Sequence, residues 1–432
     1  MPLEVNIWNR NQLTGADSPG RVSVGMRPAT ALVIALTTTA CNENVVSPAV
    51  CPEFCPAATL EVFDSIIPAS VERDSAFRGY VMAYQSKQAQ AAADDTVESN
   101  PIFRFQAFED SIQLGGGFVD VPMPVEETDS FRFELILSRR YLDTAGTEVP
   151  ELPVYRLPVD IDSTTTQADL EPYFQDSTEL AAIPLPDSVL RGNLIGVLPG
   201  DAFPTFEEDS NVVALGLGYR FSRPGYANVI TSDSSFLATI LIRFAKIDST
   251  DGTRVERSDT VIVDFDSYVH PPPPAIDPNS LSIGGAPAGR TLIRANLPSG
   301  IVDSSSVVRA TLILVPTEPV WGIAGDSVIV FAEALPFDLG AKSSIVVLPF
   351  DSTGLGALRI PVGWTDTVRV EVTNIVRVWK SPSTLPHTIS LRVLPEGGSI
   401  AEARFESSRS PVGKPIIEIS YVPPIVVRGG GG

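Results

Sequence analysis

Histidine is scarce in this chain, which has only His270 and His387 among its 432 residues. This scarcity excludes most catalytic triads, histidine-ligated metal sites and imidazole acid–base schemes. Long apolar runs are also lacking: Ala29 to Leu36 is almost wholly apolar, but it is too short to span a bilayer. No G-x-S-x-G, Walker or dinucleotide-binding motif occurs in the sequence. The sequence therefore contains no standard catalytic or nucleotide-binding motif.

Basic residues are also few. The chain has 31 Lys and Arg against 52 Asp and Glu, which gives a formal net charge of -21. Such a surface repels phosphate backbones, so we expect no nucleic-acid partner. Hydrophobic residues make up 44% of the chain, enough for sizeable buried cores. The length suits two or three domains.

The region before Cys41 has the pattern of a secretory signal. Arg27 opens a short basic region, the apolar run follows, and small residues (Thr37 to Ala40) lead to the cysteine. With the cysteine at the cleavage point, the segment resembles the lipobox of bacterial lipoproteins, in which the cysteine thiol is acylated and becomes the new N-terminus. The match is partial, since Thr38 stands where that family usually has Leu.

Two other interpretations of this segment stay open: an ordinary signal peptide with Cys41 as an incidental thiol, or a buried strand of a cytosolic domain. The polar stretch before Met26 suggests that translation begins at Met26. Cys51 and Cys55 follow in the sequence CPEFC. If Cys41 carries lipid, these two form a disulfide in an oxidising compartment, because no histidine is near to complete a zinc site. We expect no metal and no cofactor.

Most of the chain reads as short β-rich runs separated by Pro, Gly, Asp and Ser. Alternation of apolar and polar residues is clear in Thr367 to Val372 and in Ile416 to Tyr421, and the 38 prolines favour strand edges over helices. The pattern predicts an all-β fold of sandwich or barrel type. Helical turns are expected only at Ala89 to Asp95 and at Asp169 to Phe174.

The chain also resembles itself, in five pairs of segments that occur in the same order. The pairs are Phe63–Ile67 with Phe265–Val269, Ile102–Arg104 with Leu292–Arg294, Phe131–Leu137 with Val308–Leu314, Val212–Leu217 with Ile389–Leu394, and Ala238–Ile242 with Ile416–Ser420. This order predicts two copies of one β-domain with a seam near Val261 to Val269, although chance similarity of two unrelated sandwiches is an alternative.

The predicted organisation is a signal region (1–40), a lipidated tether (41–58), two tandem β-sandwich domains (59–262 and 263–424) and a disordered tail (425–432). Residues 263 to 422 resemble the DNRLRE-type domain of microbial surface proteins, which is related to carbohydrate-binding modules. The matching segments are Asp266–Val269, Leu281–Gly285, Arg290–Leu297, Ala310–Leu314, Val372–Trp379, Phe405–Ser410 and Pro415–Tyr421. Ala295 and Ser410 depart from the family pattern, where Phe and an acidic residue are usual.

The resemblance implies jelly-roll-like sandwiches that are non-catalytic and that bind glycans in some members. Sugars stack on exposed aromatic rings, so Trp321 and Trp364, which lie in turn-like segments, are candidate ligand-binding residues; ordinary packing is the alternative. Trp379, placed at the end of a strand, is expected to be structural. Ser327 in GDSV resembles the nucleophile of GDSL-type esterases but lacks the required Asp-x-x-His, so a turn is expected there.

Together these features predict an exported lipoprotein of the bacterial cell envelope, anchored to a membrane through Cys41. We expect a non-catalytic surface module with polysaccharide as ligand. A structural or partner-binding subunit of an envelope complex is the alternative, and a polysaccharide-degrading enzyme ranks third.

Overall fold

The computed structural model describes residues 62–67, 70–94, 97–108, 111–114, 119–122, 128–142, 151–185, 191–200, 213–221, 224–234, 239–248, 254–272, 275–343, 357–380 and 384–424. The predicted signal region, the tether with Cys41, Cys51 and Cys55, and the predicted tail lie outside these residues. The fold is mostly β, with 55% strand and 10% helix in several antiparallel sheets, which confirms the predicted all-β class.

The strands are numbered in chain order: β1 Phe63–Ile67, β2 Val71–Arg78, β3 Gln88–Ala93, β4 Glu98–Phe108, β5 Ser111–Leu114, β6 Val119–Pro122, β7 Thr128–Leu142, β8 Glu151–Leu157, β9 Glu179–Pro184, β10 Gly192–Pro199, β11 Val213–Tyr219, β12 Gly225–Ile230, β13 Thr239–Asp248, β14 Arg254–Val269, β15 Ser280–Gly284, β16 Gly289–Ala295, β17 Ser306–Leu314, β18 Ser327–Ala334, β19 Leu358–Pro361, β20 Val368–Glu371, β21 Thr388–Val393, β22 Glu402–Glu406 and β23 Ile416–Val422.

Helical segments in the described ranges are few and short. They are α1 Gln167–Leu170, α2 Thr373–Val378, 3-10 turns at Ala83–Gln85, Glu171–Tyr173, Asp176–Thr178 and Gly340–Lys342, and a π turn at Gly300–Ser304. None of the helices in the described part of the chain is long and apolar enough to cross a membrane.

The first sandwich consists of β3, β4 and β7 to β14. Its long strand β14 changes partner: residues 254–262 pair with β13 and residues 263–269 with β4, with a shift of register between Val263 and Phe265. The pairings β14–β13–β7–β12–β3–β4–β14 therefore form a closed ring. Such a register shift bends a strand, which lets one strand contribute to both layers of a sandwich.

Aromatic side chains fill the core of the first sandwich. Phe103 of β4 and Phe133 of β7 are fully buried, and both contact the ring of Tyr219 on β11, with centroids 5.4 and 6.0 Å apart. Residues two positions apart in a strand point to the same face, so β4 and β7 each present a row of large apolar side chains to this core.

The second sandwich consists of β1, β2 and β15 to β23. A four-stranded sheet in the order β1–β23–β17–β20 faces a seven-stranded sheet in the order β19–β18–β21–β16–β15–β22, with β2 paired to β16. Leu312 and Ile419 from the first sheet and Ile293 and Leu391 from the second belong to one buried cluster, which also includes Trp379.

The two sandwiches share most of one topology. Leaving out the hairpin β5–β6, the pairings β4–β11, β11–β8, β8–β9, β10–β7, β7–β13, β3–β12 and β3–β4 of the first match, in the same chain order, β16–β21, β21–β18, β18–β19, β20–β17, β17–β23, β15–β22 and β15–β16 of the second. The pairing β7–β12 of the first has no counterpart among the described strands of the second. Four of the five predicted segment pairs fall on equivalent strands: β4 with β16, β7 with β17, β11 with β21, and β13 with β23. The prediction of two tandem sandwiches is confirmed.

The strands that precede each copy are exchanged between the copies. β1 pairs with β23 and β2 with β16, so both complete the second sandwich, whereas β14 completes the first. Ile67 and Val71 accordingly join the second core, and Val263 and Tyr268 join the first. The strand pairing thus differs from the expected boundaries, which placed residues 63 to 78 in the first domain and began the second at residue 263.

Two local expectations differ from the structure and one agrees with it. The helical turn expected at Ala89 to Asp95 is wrong, because residues 89–93 of that segment lie in β3, which is buried on both faces. Residues 373–378, expected to be a strand ending in Trp379, form α2, whose buried Ile375, Val376 and following Trp379 pack on the second core. The expected helical turn at Asp169 to Phe174 is confirmed by α1 and the 3-10 turn that follows it.

Candidate binding cleft

A cleft of about 680 Å³ lies where the end of β14 meets the segment before β3, the α1 region and the turn after β15. This volume falls within the range of small-ligand sites. The residues that line it are Met82, Ala83, Tyr84, Ser163, Thr165, Thr166, Gln167, Ala168, Glu171, Ser267, Tyr268, Val269, His270, Pro271, Pro272 and Pro287. They divide into an apolar wall, a polar wall and the end of β14 between them.

The apolar wall is formed by Met82, Tyr84, Pro271, Pro272 and Pro287. Both the Tyr84 ring and Pro287 are half-buried, while Met82 is exposed. Proline rings and a tyrosine ring offer flat apolar faces that lose little conformational entropy on binding. This wall suits the apolar face of a ring-shaped or extended ligand.

The polar wall comes from the α1 region. Thr166 is the N-cap of α1: its hydroxyl donates to Asp169 Oδ2 at 2.6 Å and accepts from the Asp169 backbone N–H at 3.4 Å. Leu170 is buried with Ile102 and Val269, which fixes this short helix against β4 and β14. The sequence thus presents Ser163, Thr165, Thr166 and Gln167 to the cleft on a segment held by its own cap and one buried leucine.

Charge is nearly absent from the cleft. Glu171 is the one charged residue among its lining residues, and Arg220 Nη1 donates to its Oε1 at 3.1 Å. Among the described residues, no lysine or arginine lines the cleft, so an anionic ligand would find no cationic partner in this lining. The surface offers instead hydroxyl and amide groups beside apolar rings.

His270 ends β14 at the cleft. Its Nδ1 lies 2.6 Å from the carbonyl oxygen of Pro271, and its ring tilts against that of Tyr268 with centroids 5.8 Å apart. Burial is the main cause that lowers the pKa of His270 below its ordinary value; the Pro271 carbonyl opposes this effect, and the charge of Arg78 adds to it. The imidazole is therefore neutral at neutral pH.

Tyr268 anchors the base of the cleft. Its buried hydroxyl donates to the carbonyl oxygen of Gly397, and burial raises the pKa of this phenol far above its usual range. Gly397 belongs to the second sandwich, so this bond joins β14 to the turn after β21.

Behind His270 lies a buried ion-pair cluster centred on Glu402. This carboxylate accepts from Arg78 Nη2 at 2.6 Å, from Arg404 Nε at 2.8 Å and from the Ser282 hydroxyl at 2.6 Å. Buried charges are tolerated when they are paired in this way. The cluster connects β2, β15 and β22. Its Arg78 carries the positive charge that acts on His270.

A buried polar junction fixes the two sandwiches to each other beside the cleft. Asp326 Oδ2 accepts from Gln90 Nε2 at 2.9 Å and from the Ser399 hydroxyl at 2.7 Å, while Gln90 Oε1 accepts from the Ile400 N–H at 3.0 Å. Ser86 adds a bond from its hydroxyl to the Glu396 carbonyl oxygen at 3.2 Å. The segment before β3 contributes to both features: Met82 and Tyr84 line the apolar wall of the cleft, and Ser86 belongs to this junction.

The two tryptophans predicted to bind ligand lie outside the cleft. Trp321 is half-buried and packs against the first core, and its backbone bridges that of Glu402 through two bonds of 2.9 Å. Trp364 is 38% exposed, and its Nε1 donates to the Asp366 carbonyl oxygen at 2.8 Å. Of the two tryptophans, only Trp364 retains an exposed aromatic face.

The GDSV segment is structural in its contacts. The Ser327 hydroxyl accepts from Arg359 Nη1 at 2.7 Å, and Asp326 Oδ1 accepts from the Ser327 N–H at 2.6 Å. His387 stacks on the buried Trp379 ring, with centroids 5.1 Å apart. Within the described ranges, no group of three or more His, Cys, Asp or Glu side chains is arranged to hold a metal ion.

Sequence reasoning missed the cleft residues Tyr84, Gln167 and His270. The available signal was the run of four prolines that follows His270 directly, because such a run holds an extended segment at a fixed place. Apart from Pro287, the partners of that segment come from residues 82–84 and 163–171, far away in the sequence, and no short motif marks them.

Comparison with known proteins gives little guidance. No protein-family model matches the chain, and no curated protein matches it. It is remotely similar to the structure of the Macrobrachium rosenbergii nodavirus, with 10% identity over 88% of this chain and 97% of that chain and a TM-score of 0.15. A structure of manganese lipoxygenase of Gaeumannomyces graminis with part of zonadhesin of Komagataella pastoris gives 12% identity over 82% and 84%, with a TM-score of 0.12. Scores this low support no statement about fold or function.

Proposed function

We propose that this chain is a non-catalytic glycan-binding protein of the bacterial cell envelope, anchored to a membrane by a lipid on Cys41. The observation that carries the binding function is the cleft, with rings of Tyr84 and proline on one wall and hydroxyl and amide groups on the other. A neutral sugar has the same division, since its C–H faces are apolar and its rim carries hydroxyls.

The electrostatics of the cleft favour a neutral glycan over an anionic one. Its lining has no cation, and the carboxylate of Glu171 is already paired with Arg220. Sulfated, phosphorylated or uronate-rich polymers would bring charge into a site that cannot neutralise it. The resemblance of residues 263 to 422 to DNRLRE-type domains and the pattern before Cys41 support the same assignment from the sequence.

A structural subunit of an envelope complex is the second candidate function. The buried junction around Asp326 and Gln90 favours it, because a two-sandwich body held by buried polar bonds resists bending between its parts. Co-purification with one fixed envelope protein, together with no affinity for any neutral polysaccharide, would favour this candidate over glycan binding.

Affinity electrophoresis through gels that contain soluble neutral polysaccharides tests the glycan assignment. We expect at least one β-glucan, mannan or galactan to retard the protein, and Tyr84→Ala to weaken that retardation about tenfold. Trp364→Ala is the control, because it removes an exposed aromatic ring outside the cleft. Retardation lost with Trp364→Ala and kept with Tyr84→Ala would move the binding site to the turn around Trp364.

The anchor is tested separately in cells. Metabolic labelling with a fatty acid should label the wild-type protein and place it in the membrane fraction, and Cys41→Ser should abolish both. Cys51→Ser is the control, because it removes a neighbouring thiol that we do not assign to lipid. Labelling that persists in Cys41→Ser would contradict the anchor.

A further inference from the structure

The contact between His270 Nδ1 and the Pro271 carbonyl oxygen indicates which ring nitrogen carries the proton. The carbonyl oxygen of Pro271 can only accept a hydrogen bond, and it lies 2.6 Å from Nδ1. Nδ1 therefore carries the proton of the neutral ring, and Nε2 is left with a lone pair. Since His270 lines the cleft and no described residue bonds to Nε2, this lone pair is an acceptor that a bound ligand can reach.

The groups around the ring disfavour a second proton. From its own strand come Tyr268, whose hydroxyl is committed to Gly397, and the buried Asp266, which accepts from the Ser232 N–H at 2.7 Å. From β2 comes the charge of Arg78, which Glu402 balances on the far side. Across the cleft stand Tyr84 and Glu171, and Arg220 pairs with the latter.

We infer that Nε2 of His270 is the acceptor for a hydroxyl of the bound ligand, so that the cleft selects neutral hydroxyl-bearing ligands and releases them on acidification. This inference rests on the proposed glycan-binding function and deepens it. It assigns the specificity to one atom whose state depends on pH.

Two physical effects make binding and protonation oppose each other. A proton on Nε2 turns this atom from an acceptor into a donor. The ligand hydroxyl can then no longer donate to it and must accept from it instead. A ligand that covers the ring also takes water away from an imidazolium that has Arg78 and no free carboxylate beside it. By linkage, a ligand that disfavours the protonated ring is bound more weakly wherever that ring is protonated.

The binding experiment uses the purified protein and the neutral polysaccharide that retards it, with affinity measured at about pH 8 and about pH 5. Wild type should bind more weakly at the lower pH, and the affinity should keep falling as the pH passes below the lowered pKa of His270. His270→Asn keeps a donor for the Pro271 carbonyl oxygen and loses the acceptor, so it should bind weakly at both values. In His270→Gln the side chain is longer than that of Asn, so its amide oxygen can serve as an acceptor that does not titrate. This variant should bind the polysaccharide equally well at both pH values.

The outcomes separate the two proposals. Binding that does not change with pH and is kept in His270→Asn overturns this inference and leaves glycan binding in place. Affinity that rises on acidification also overturns it, because it would show that the protonated ring, which can only donate, binds the ligand better than the Nε2 lone pair does. No affinity of the wild type for any neutral polysaccharide overturns glycan binding itself.

A ligand-free readout tests the same atom. Nitrogen-15 NMR of the imidazole should show the neutral ring in a single tautomer with the proton on Nδ1. A ring protonated on Nε2 at neutral pH would overturn the inference whatever the ligand is, because Nε2 could then not accept a hydroxyl.

Discussion

Asp326 of the second sandwich accepts a hydrogen bond of 2.9 Å from the side chain of Gln90 in the first, and both residues are buried. The same carboxylate accepts from Ser399, and the Gln90 amide also accepts from the Ile400 N–H. Each partner thus uses its polar atoms across the boundary between the two sandwiches. Buried polar groups of this kind are costly when they are separated, so the junction ties the unfolding of the two sandwiches together.

Asp326→Ala should destabilise the protein by about 2–4 kcal/mol, because it leaves the donors of Gln90, Ser399 and the Ser327 N–H without their acceptor. Urea unfolding followed by fluorescence measures the change. Asp366→Ala, which alters an exposed aspartate, is the control and should leave stability within about 0.5 kcal/mol. An Asp326→Ala variant as stable as the control would show that the junction contributes little.

At two buried tyrosines, removal of the hydroxyl should change the stability of the protein in opposite directions. The Tyr219 hydroxyl has no hydrogen-bond partner among the described residues, so Tyr219→Phe should stabilise the protein by about 1 kcal/mol. The Tyr268 hydroxyl donates to the Gly397 carbonyl oxygen, so Tyr268→Phe should destabilise it by a similar amount. Thermal unfolding of both variants checks the pair, and equal shifts in one direction would contradict these contacts.

Asp266 should make stability depend on pH. Burial raises the pKa of this carboxyl, although the Ser232 N–H opposes the shift. A folded-state pKa above the unfolded value of about 3.9 means that its stabilising contribution is complete below that value and is lost as pH rises through the folded pKa. Asp266→Asn keeps an acceptor for Ser232 and should therefore be more stable than wild type at neutral pH, with the difference shrinking in acid. A difference that grows in acid would have the wrong sign.

The exchanged leading strands give a prediction for truncation. A chain that begins at Gly79 lacks β1 and β2, and with them Ile67 and Val71 of the second core and the partner of β16. Limited proteolysis should then cleave within residues 280 to 422 and leave the first sandwich resistant. A chain that begins at Glu61 retains both strands and serves as the control. Resistance of both chains alike would show that β1 and β2 are dispensable.

Much of the fold was predictable because it depends on local pattern. Alternating apolar residues and frequent prolines predict the strands, and repeated segments predict two sandwiches with equivalent strands such as β4 and β16. The exchange of leading strands was not predictable from this pattern. Residues 63–67 and 265–269 look alike, and only packing decides that Ile67 joins the second core and Tyr268 the first.

The helical elements were partly misassigned for similar reasons. The alanines of β3 favour a helix by propensity, but small side chains are required where a strand is buried on both faces. The candidate site was missed because tryptophan is the residue type that the sequence most readily suggests for sugar stacking. The prediction therefore fell on Trp321 and Trp364, which lie outside the cleft. The cleft instead gathers Tyr84, Gln167 and His270 from three distant segments, which only the tertiary fold brings together.

Hydrogen–deuterium exchange of the protein with and without a saturating neutral oligosaccharide tests the central claim, that the cleft is the ligand site, most directly. The account predicts slower exchange in residues 82–84, 163–171 and 267–270, with no change in the turn around Trp364. Protection confined to that turn, or no protection in any segment that lines the cleft, would contradict it.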